Sequence, residues 1–148
     1  MPNAAPALAP GKVLIDVKAA SLNFPDALMV QGLYQVKPPT PFVPGAEYAG
    51  VVAAVGEGVA HVSVGDRVMA FTGWGGFAEQ AVADAMRVTP MPPTMSFEQG
   101  ASFVLTYATS HHALKDVARL QSGETLLILG ASGGVGTSAI QLAKIAGA

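Results

Sequence analysis

The sequence predicts a mixed α/β chain, in which a small β-barrel or sandwich is followed by helices and by the start of a doubly wound parallel sheet. Three observations support this prediction. Short strand patterns bounded by glycine turns fill the first part of the sequence. A capping-box pattern at Ser96 then begins a helical region. Residues 124–147 combine an apolar run, a glycine-rich turn and a helical pattern.

Four runs in the first part of the chain are predicted to be strands. Residues 12–19 alternate between apolar and polar side chains, as one face of a sheet requires. Residues 49–55 form an apolar, β-branched run that a Gly-Glu-Gly turn closes. Residues 67–71 follow a Gly-Asp turn, and residues 77–82 follow two glycines. Strands at this spacing are typical of a small barrel or sandwich.

The helical region begins with a capping box, in which Ser96 is followed three residues later by Gln99. Its helical pattern extends to about Leu120, with a break expected near residues 105–109. Residues 121–123 then form a turn. Residues 126–129 are continuously apolar, which favours a strand buried on both faces of a parallel sheet.

A glycine-rich turn at residues 130–136 follows this apolar run directly. The helical pattern after it puts Val135 and Ala139 on one face and Ser138 on the opposite face. In such a turn, backbone N–H groups approach a pyrophosphate at the start of the helix. The match to G-x-G-x-x-G is imperfect, because Ala131 stands at the first glycine, and a purely structural turn is the alternative.

The composition excludes several classes of protein. The 148 residues are 51% hydrophobic and only 12% charged, which excludes disorder. A net charge of −2 without a basic cluster argues against nucleic acid or anionic membranes as partners. No apolar run has the length of a membrane span, and residues 1–12 do not resemble a signal peptide. The absence of cysteine excludes disulfides and cysteine-ligated zinc, and it is compatible with a cytoplasmic location.

Seven segments follow one another in an order that is typical of a known family. They are SLNFPD at 21–26, QGLY at 31–34, PGAE at 44–47, GDRV at 65–68, GFAE at 76–79, TSHHAL at 109–114 and GASGGVG at 130–136. Together with the order of barrel, helices and glycine turn, they resemble the medium-chain dehydrogenase/reductase superfamily. Within that superfamily the chain is most similar to the zinc-independent quinone oxidoreductases.

The resemblance implies a domain organisation. Residues 1–90 would form a GroES-like β-barrel catalytic domain, in which a short Ala/Pro-rich tail replaces the family's N-terminal hairpin. Residues 91–148 would form linking helices and the first strand–turn–helix of an incomplete Rossmann domain. We therefore interpret the chain as part of a longer reductase, and we expect the 148 residues alone to be inactive. The complete reductase is expected to be a homodimer in the cytoplasm.

The resemblance also predicts that the protein has no metal. The zinc-dependent relatives have a cysteine in the loop that corresponds to residues 20–26, and a histidine in a Gly-His-Glu triplet where this chain has Ala46. Alanine cannot bind a metal. His61 lies in a polar turn, and His111 and His112 are adjacent on a helix, with side chains about 100° apart.

Without a metal, a substrate carbonyl must be polarised by hydrogen bonds. The resemblance places Asn23 at the substrate and nicotinamide cleft, where its amide would donate to a quinone or enone oxygen or hold the nicotinamide carboxamide; a turn asparagine is the alternative. Tyr34 would donate its phenol to the same cleft or else pack beneath its loop. Many family members have a tyrosine where this chain has Leu28, so the proton donor is open, with bound water as one choice. Glu47 is expected to be structural.

The cofactor implied by the resemblance is NADPH, with NADH not excluded. Thr109 corresponds to a family position that contacts the cofactor, whereas a hydroxyl bonded to its own helix is the alternative. The residues expected at the pyrophosphate are Ser132, Gly133, Gly134 and Val135. The implied activity is hydride transfer to a quinone or another α,β-unsaturated carbonyl. Reduction of an enoyl thioester and a non-catalytic GroES-like binding module are the alternatives.

Overall fold

The computed structural model describes residues 8–148. Most of the Ala/Pro-rich tail therefore lies outside the described residues. The prediction that this tail replaces the family's N-terminal hairpin concerns the same undescribed residues. Contacts divide the chain into two compact units, of which the first ends at Ser102 and the second begins at Phe103. Within the described residues, no helix is both long enough and apolar enough to cross a membrane.

The first unit is built on a five-stranded sheet. Its strands are β1 (Lys12–Ser21), β2 (Glu47–Val55), β3 (Arg67–Phe71), β4 (Gln80–Asp84) and β5 (Val88–Pro90). They lie in the order β4-β1-β2-β3-β5, and every neighbouring pair is antiparallel. This register places Ser21, at the end of β1, opposite Glu47, at the start of β2.

The core of this unit lies on one face of the sheet, because alternate side chains of a strand point the same way. Val13 and Ile15 of β1 are fully buried, as the predicted alternation requires. Tyr48 of β2 is buried with them. The remaining buried members of this core are Val52, Val62, Val68, Ala70, Ala81, Ala83, Ala85 and Val88.

Three of the four predicted strands are confirmed, and the fourth begins later than expected. β4 starts at Gln80 rather than at Phe77. The backbone N–H of Gly76 donates to the Gly45 carbonyl at 2.8 Å, and that of Phe77 donates to the Pro44 carbonyl at 3.0 Å. These residues are therefore paired with the loop before β2, and they do not extend the β1–β4 ladder.

The helix predicted at Ser96 is confirmed as α2 (Phe97–Ala101). The Ser96 hydroxyl accepts from the Gln99 backbone N–H at 3.2 Å, and the Gln99 side chain accepts from the Ser96 N–H at 2.9 Å. Two helices precede it among the described residues, α1 (Phe24–Val30) and a single 3₁₀ turn (Ala85–Arg87).

The second unit contains α3 (Val104–His111), which continues into a π-helical turn (His112–Val117), and α4 (Gly134–Ala146). The break predicted near residues 105–109 lies earlier in the structure, because α3 runs through those residues. Helical structure is instead interrupted at Ser102, whose hydroxyl caps the carbonyls of Glu98 and Gln99 at the end of α2.

The strand predicted at residues 126–129 is not present as a strand. The segment belongs to no ladder, because no segment among residues 8–148 pairs with it. Leu127 and Leu129 are 82% and 86% exposed. An apolar run predicts burial, but a strand exists only where a neighbour accepts its backbone hydrogen bonds.

The predicted faces of α4 were also wrong in part. Ala139 is buried as expected, but Val135 is 43% exposed and Ser138 is almost completely buried. Serine is polar, so the sequence pattern placed it towards solvent. In the structure its hydroxyl is satisfied by partners inside the unit, which removes the cost of burial.

Candidate functional site

Asn23 caps the N-terminus of α1, and a buried carboxylate fixes its backbone. The Asn23 backbone N–H donates to Asp26 Oδ2 at 2.8 Å, and Asp26 Oδ1 accepts from the Ala46 backbone N–H at 2.9 Å. Asp26 is only 2% exposed. Its two oxygens thus tie the start of α1 to the segment before β2. Asp26 was not among the residues predicted for the site, although the spacing Asn-x-x-Asp is a capping-box signal.

Replacement of Asp26 by asparagine should lower the free energy of unfolding by about 1–3 kcal/mol, because the new NH₂ group cannot accept from a buried backbone N–H. Urea denaturation measures the change. Asp66→Asn is the matched control, since Asp66 accepts from the Ser63 N–H with the same spacing but at an exposed site. Water can replace that bond, so its effect should stay within about 0.5 kcal/mol. Equal losses in the two variants would contradict the argument from burial.

The side chain of Asn23 is held by a chain of two hydrogen bonds. Asn23 Nδ2 donates to Ser21 Oγ at 2.9 Å, and Ser21 Oγ donates to Glu47 Oε2 at 3.1 Å. Glu47 is fully buried. Ser21 has a single hydroxyl proton, which it donates to Glu47, so its lone pairs are left to accept from Asn23.

This proton count assigns the orientation of the Asn23 amide. Its nitrogen faces Ser21. One N–H of the amide is used by Ser21, and a second N–H remains as a donor. Glu47 was expected to be structural, and its specific structural role is to orient Asn23 through Ser21.

Tyr34 lies half-buried in the irregular segment between α1 and β2. Among the described residues, no hydrogen bond joins its phenol to Asn23. Its role as a proton donor stays a prediction, and so does the catalytic role of Asn23.

Tyr48 is a second tyrosine that the sequence analysis did not single out. It is fully buried, and its hydroxyl meets no acceptor in hydrogen-bond geometry among the described residues. Burial raises the pKa of Tyr48, and the nearby Thr72 hydroxyl only partly offsets this effect. Tyr48 therefore stays protonated at neutral pH, and it packs in the core.

In the second unit, the glycine turn forms an open helix N-terminus. Gly133 is the N-cap of α4, with φ −79° and ψ 166°, and residues 132–135 are exposed. The first α-helical bond of the turn runs from the Thr137 N–H to the Gly133 carbonyl at 2.8 Å. The N–H groups of residues 134–136 lie in the first turn, where the helix provides no carbonyl one turn earlier to accept their hydrogen bonds. The helix dipole adds positive potential at the same place. This arrangement suits an anion.

Two glycines of the turn have different environments. A Cβ on Gly136 would lie 2.5 Å from the Gly130 carbonyl oxygen and 2.7 Å from Ala131 Cα, so only glycine lets the helix pack against the turn. A Cβ on Gly133 would meet nothing closer than the same oxygen at 3.6 Å. The space in front of Gly133 is therefore open to a ligand. A dinucleotide turn needs both features, so these residues fit a pyrophosphate.

Thr109 is exposed on α3 and precedes Ser110, whose side chain is buried against α4. Its contact with the cofactor stays a prediction. Asn23 and Tyr34 belong to the first unit, whereas Thr109 and the glycine turn belong to the second.

Two of the three histidines have hydrogen-bond partners in the described part of the chain. His61 Nε2 lies 3.2 Å from the Val88 carbonyl oxygen. His112 Nδ1 lies 2.9 Å from Asp116 Oδ2 at an exposed site, and this hydrogen bond is the main cause that lowers the pKa of Asp116. Within residues 8–148, no three His, Asp or Glu side chains cluster as a metal site would require.

The fold and the glycine turn can now be compared with known proteins. Residues 9–93 match the family of the alcohol dehydrogenase GroES-like domain. The chain therefore belongs to the medium-chain dehydrogenase/reductase superfamily, which confirms the resemblance noted in the sequence.

Three relatives show its place in that superfamily. The chain is 41% identical to the human synaptic vesicle membrane protein VAT-1 homolog, over 97% of this chain and 36% of that protein. It is 34% identical to the quinone oxidoreductase of Thermus thermophilus, solved alone and with NADPH, with a TM-score of 0.86 over 99% of this chain and 46% of that one. It is 33% identical to the CurK enoyl reductase, with a TM-score of 0.89 over 99% of this chain and 47% of that one. The chain thus spans less than half of each relative.

Proposed function

We propose that the whole protein is an NADPH-dependent oxidoreductase that transfers a hydride to a quinone or another α,β-unsaturated carbonyl without a metal. One observation carries this proposal: the open N-terminus of α4 at Gly133, with space in front of exposed backbone donors. The similarity to a quinone oxidoreductase that was solved with NADPH supports the choice of cofactor and acceptor. NADH is the alternative cofactor.

The residues of this chain contribute binding and charge stabilisation. NADPH, when bound, supplies the hydride. The backbone N–H groups at Gly134 and Val135 would hold its pyrophosphate. When the acceptor's conjugated carbon gains the hydride, negative charge develops on its carbonyl oxygen. The second N–H of Asn23 would donate to that oxygen, and water would supply the proton.

We expect the purified 148-residue chain to contain no zinc, because it has no cysteine and alanine stands at position 46. Elemental analysis after purification without chelators measures the metal content. A zinc-dependent alcohol dehydrogenase purified in the same way is the positive control. About one zinc per chain would contradict the prediction.

Reduction of an enoyl thioester is the second candidate, and the similarity to CurK enoyl reductase favours it. An enzyme of that kind would need a cationic group for the phosphate of the thioester carrier. Arg67 already has two of its five N–H donors committed to the carbonyls of Pro93 and Met95, and its guanidinium lies over the Phe97 ring.

Steady-state assays of the complete gene product test the proposal. NADPH is offered with phenanthrenequinone, with a simple enone and with crotonyl-CoA, beside the 148-residue chain alone. We expect turnover of the quinone or the enone by the complete protein and none at an enzymatic rate by the chain alone. Turnover with crotonyl-CoA only would favour the second candidate. Absence of saturable NADPH binding would favour a non-catalytic binding module.

A further inference from the structure

We infer that Ser110 and Ser138 are positioning residues that aim the first-turn donors of α4 and hold them in a fixed place relative to Thr109. The inference rests on the proposed function, because it concerns the binding of the dinucleotide. Both side chains are buried, with 2% and 1% exposure, although both are polar.

The two serines join α3 to the first turn of α4 by reciprocal hydrogen bonds. Ser110 of α3 donates to the Val135 carbonyl of α4 at 2.9 Å, and Ser138 of α4 donates to the Thr106 carbonyl of α3 at 3.1 Å. The two hydroxyl oxygens lie 2.7 Å apart, and Ser138 is also 2.9 Å from the Val135 carbonyl.

A count of the protons shows that rotation of a hydroxyl cannot break all the hydrogen bonds between α3 and α4. Each serine has one proton, and the acceptors within reach are two carbonyls and the other hydroxyl. If both protons are donated to the carbonyls of Val135 or Thr106, the bond from Ser110 to Val135 still joins α3 to α4. If one serine donates to the other, that bond itself joins the helices. Every arrangement therefore keeps at least one bond between α3 and α4.

These hydrogen bonds hold the part of α4 that would face the ligand. The Val135 carbonyl and the Gly136 N–H belong to one planar peptide unit. A hydroxyl that holds this carbonyl therefore restrains Val135 itself, whose own N–H is one of the two proposed to hold the pyrophosphate. On the other side, Ser110 directly follows Thr109, so the same bonds fix the helix that presents Thr109.

The packing around Ser110 and Ser138 is close. A Cβ on Gly134 would lie 3.0 Å from Thr106 Cγ2. The Tyr107 hydroxyl donates to Gln141 Oε1 further along the same pair of helices. The serines thus work within an ordered helix pair, and alanine substitutions should be accommodated because alanine is the best helix former.

The test uses the complete gene product with Ser110→Ala, Ser138→Ala and both changes together. Calorimetry measures the dissociation constants of NADPH and of adenosine 2′,5′-bisphosphate, which has no nicotinamide and no pyrophosphate bridge. We expect the NADPH constant to rise about tenfold in each variant, equivalent to about 1.4 kcal/mol. The constant for the bisphosphate should rise less than that for NADPH, because its 5′-phosphate can reach the first-turn donors but the ligand does not extend to Thr109.

A stability measurement separates positioning from packing. After each single change the remaining hydroxyl can still donate to a carbonyl, Val135 for Ser110 and Thr106 for Ser138. We therefore expect the single variants to keep an unfolding midpoint close to that of the unsubstituted protein while the NADPH affinity falls. Ser122→Ala is the matched control, because its exposed hydroxyl contacts the Gly147 carbonyl at the other end of α4.

Two results would overturn the inference and leave the proposed function standing. One is unchanged NADPH affinity in all three variants. The other is an equal loss of affinity for NADPH and for the bisphosphate, which would indicate general damage to the unit. No NADPH binding by the unsubstituted protein would overturn the proposed function and the inference together.

Discussion

Replacement of Asn23 by alanine in the complete protein is expected to lower kcat by about 10²-fold, the low end for the loss of one oxyanion-type donor. The reason is the second amide N–H, which Ser21 and Glu47 leave free by orienting the amide. The affinity for NADPH should change much less. Single-turnover rates at saturating NADPH, followed by the absorbance of the reduced nicotinamide, measure the effect.

Asn23→Asp should be at least as damaging. A carboxylate at this position repels the negative charge that develops on the acceptor oxygen. It also cannot donate to Ser21, whose only proton is already given to Glu47. Two acceptors would then face one hydroxyl proton, and the side chain would lose its fixed orientation.

Two controls separate chemistry from structure. The Asn23 backbone N–H donates to Asp26, and neither substitution removes that N–H, so the N-cap of α1 is retained in both variants. Gln80→Ala removes an amide of the same kind from strand β4, where it donates to Asp16 at 2.8 Å, and should leave kcat unchanged. Unchanged turnover in both Asn23 variants would return Asn23 to the role of a turn residue.

Replacement of Gly133 by alanine should weaken NADPH binding at least about tenfold, because the methyl group would enter the space in front of the first-turn donors. The chain itself tolerates this methyl group. Its nearest neighbour would be the Gly130 carbonyl oxygen at 3.6 Å, and φ is −79°, a value that alanine adopts easily. The free energy of unfolding should therefore stay within about 0.5 kcal/mol.

Gly136→Ala is the contrasting variant. Its Cβ would press on the backbone of Gly130 and Ala131, and no flexible side chain can move away. We expect a loss of about 1–3 kcal/mol in stability together with a loss of affinity. Calorimetric titration and urea denaturation of both variants provide the comparison. Normal NADPH affinity in Gly133→Ala would identify the turn as purely structural.

Patterns in the sequence predicted most of the first unit. Strand β3 occupies the residues expected from its flanking turn, and the capping box at Ser96 starts α2 as its two side chains require. Such elements are determined by local chemistry, namely alternation, turn residues and helix caps. β4 begins later than predicted because Gly76 and Phe77 bond to a loop some thirty residues earlier, which no local pattern reveals.

The second unit shows the opposite case. Residues 126–129 have the composition of a buried strand, but Leu127 and Leu129 are exposed because the described chain offers no neighbouring strand. Ser138 was expected on the solvent face of α4 and is buried. Hydrophobicity alone cannot show that a hydroxyl finds its partners on another helix.

The sequence by itself determined that a cysteine-ligated zinc site is impossible and that alanine occupies the position of the family's histidine. It also determined the glycines of the turn, since their lack of a Cβ is a property of the residue. Only the tertiary structure decided which atom of Asn23 is free to donate, because the answer depends on Ser21 and on a buried carboxylate across the β1–β2 pair. Likewise, only the structure joined Ser110 to Ser138, because a hydrogen bond requires atoms within about 3 Å and these residues are distant along the chain.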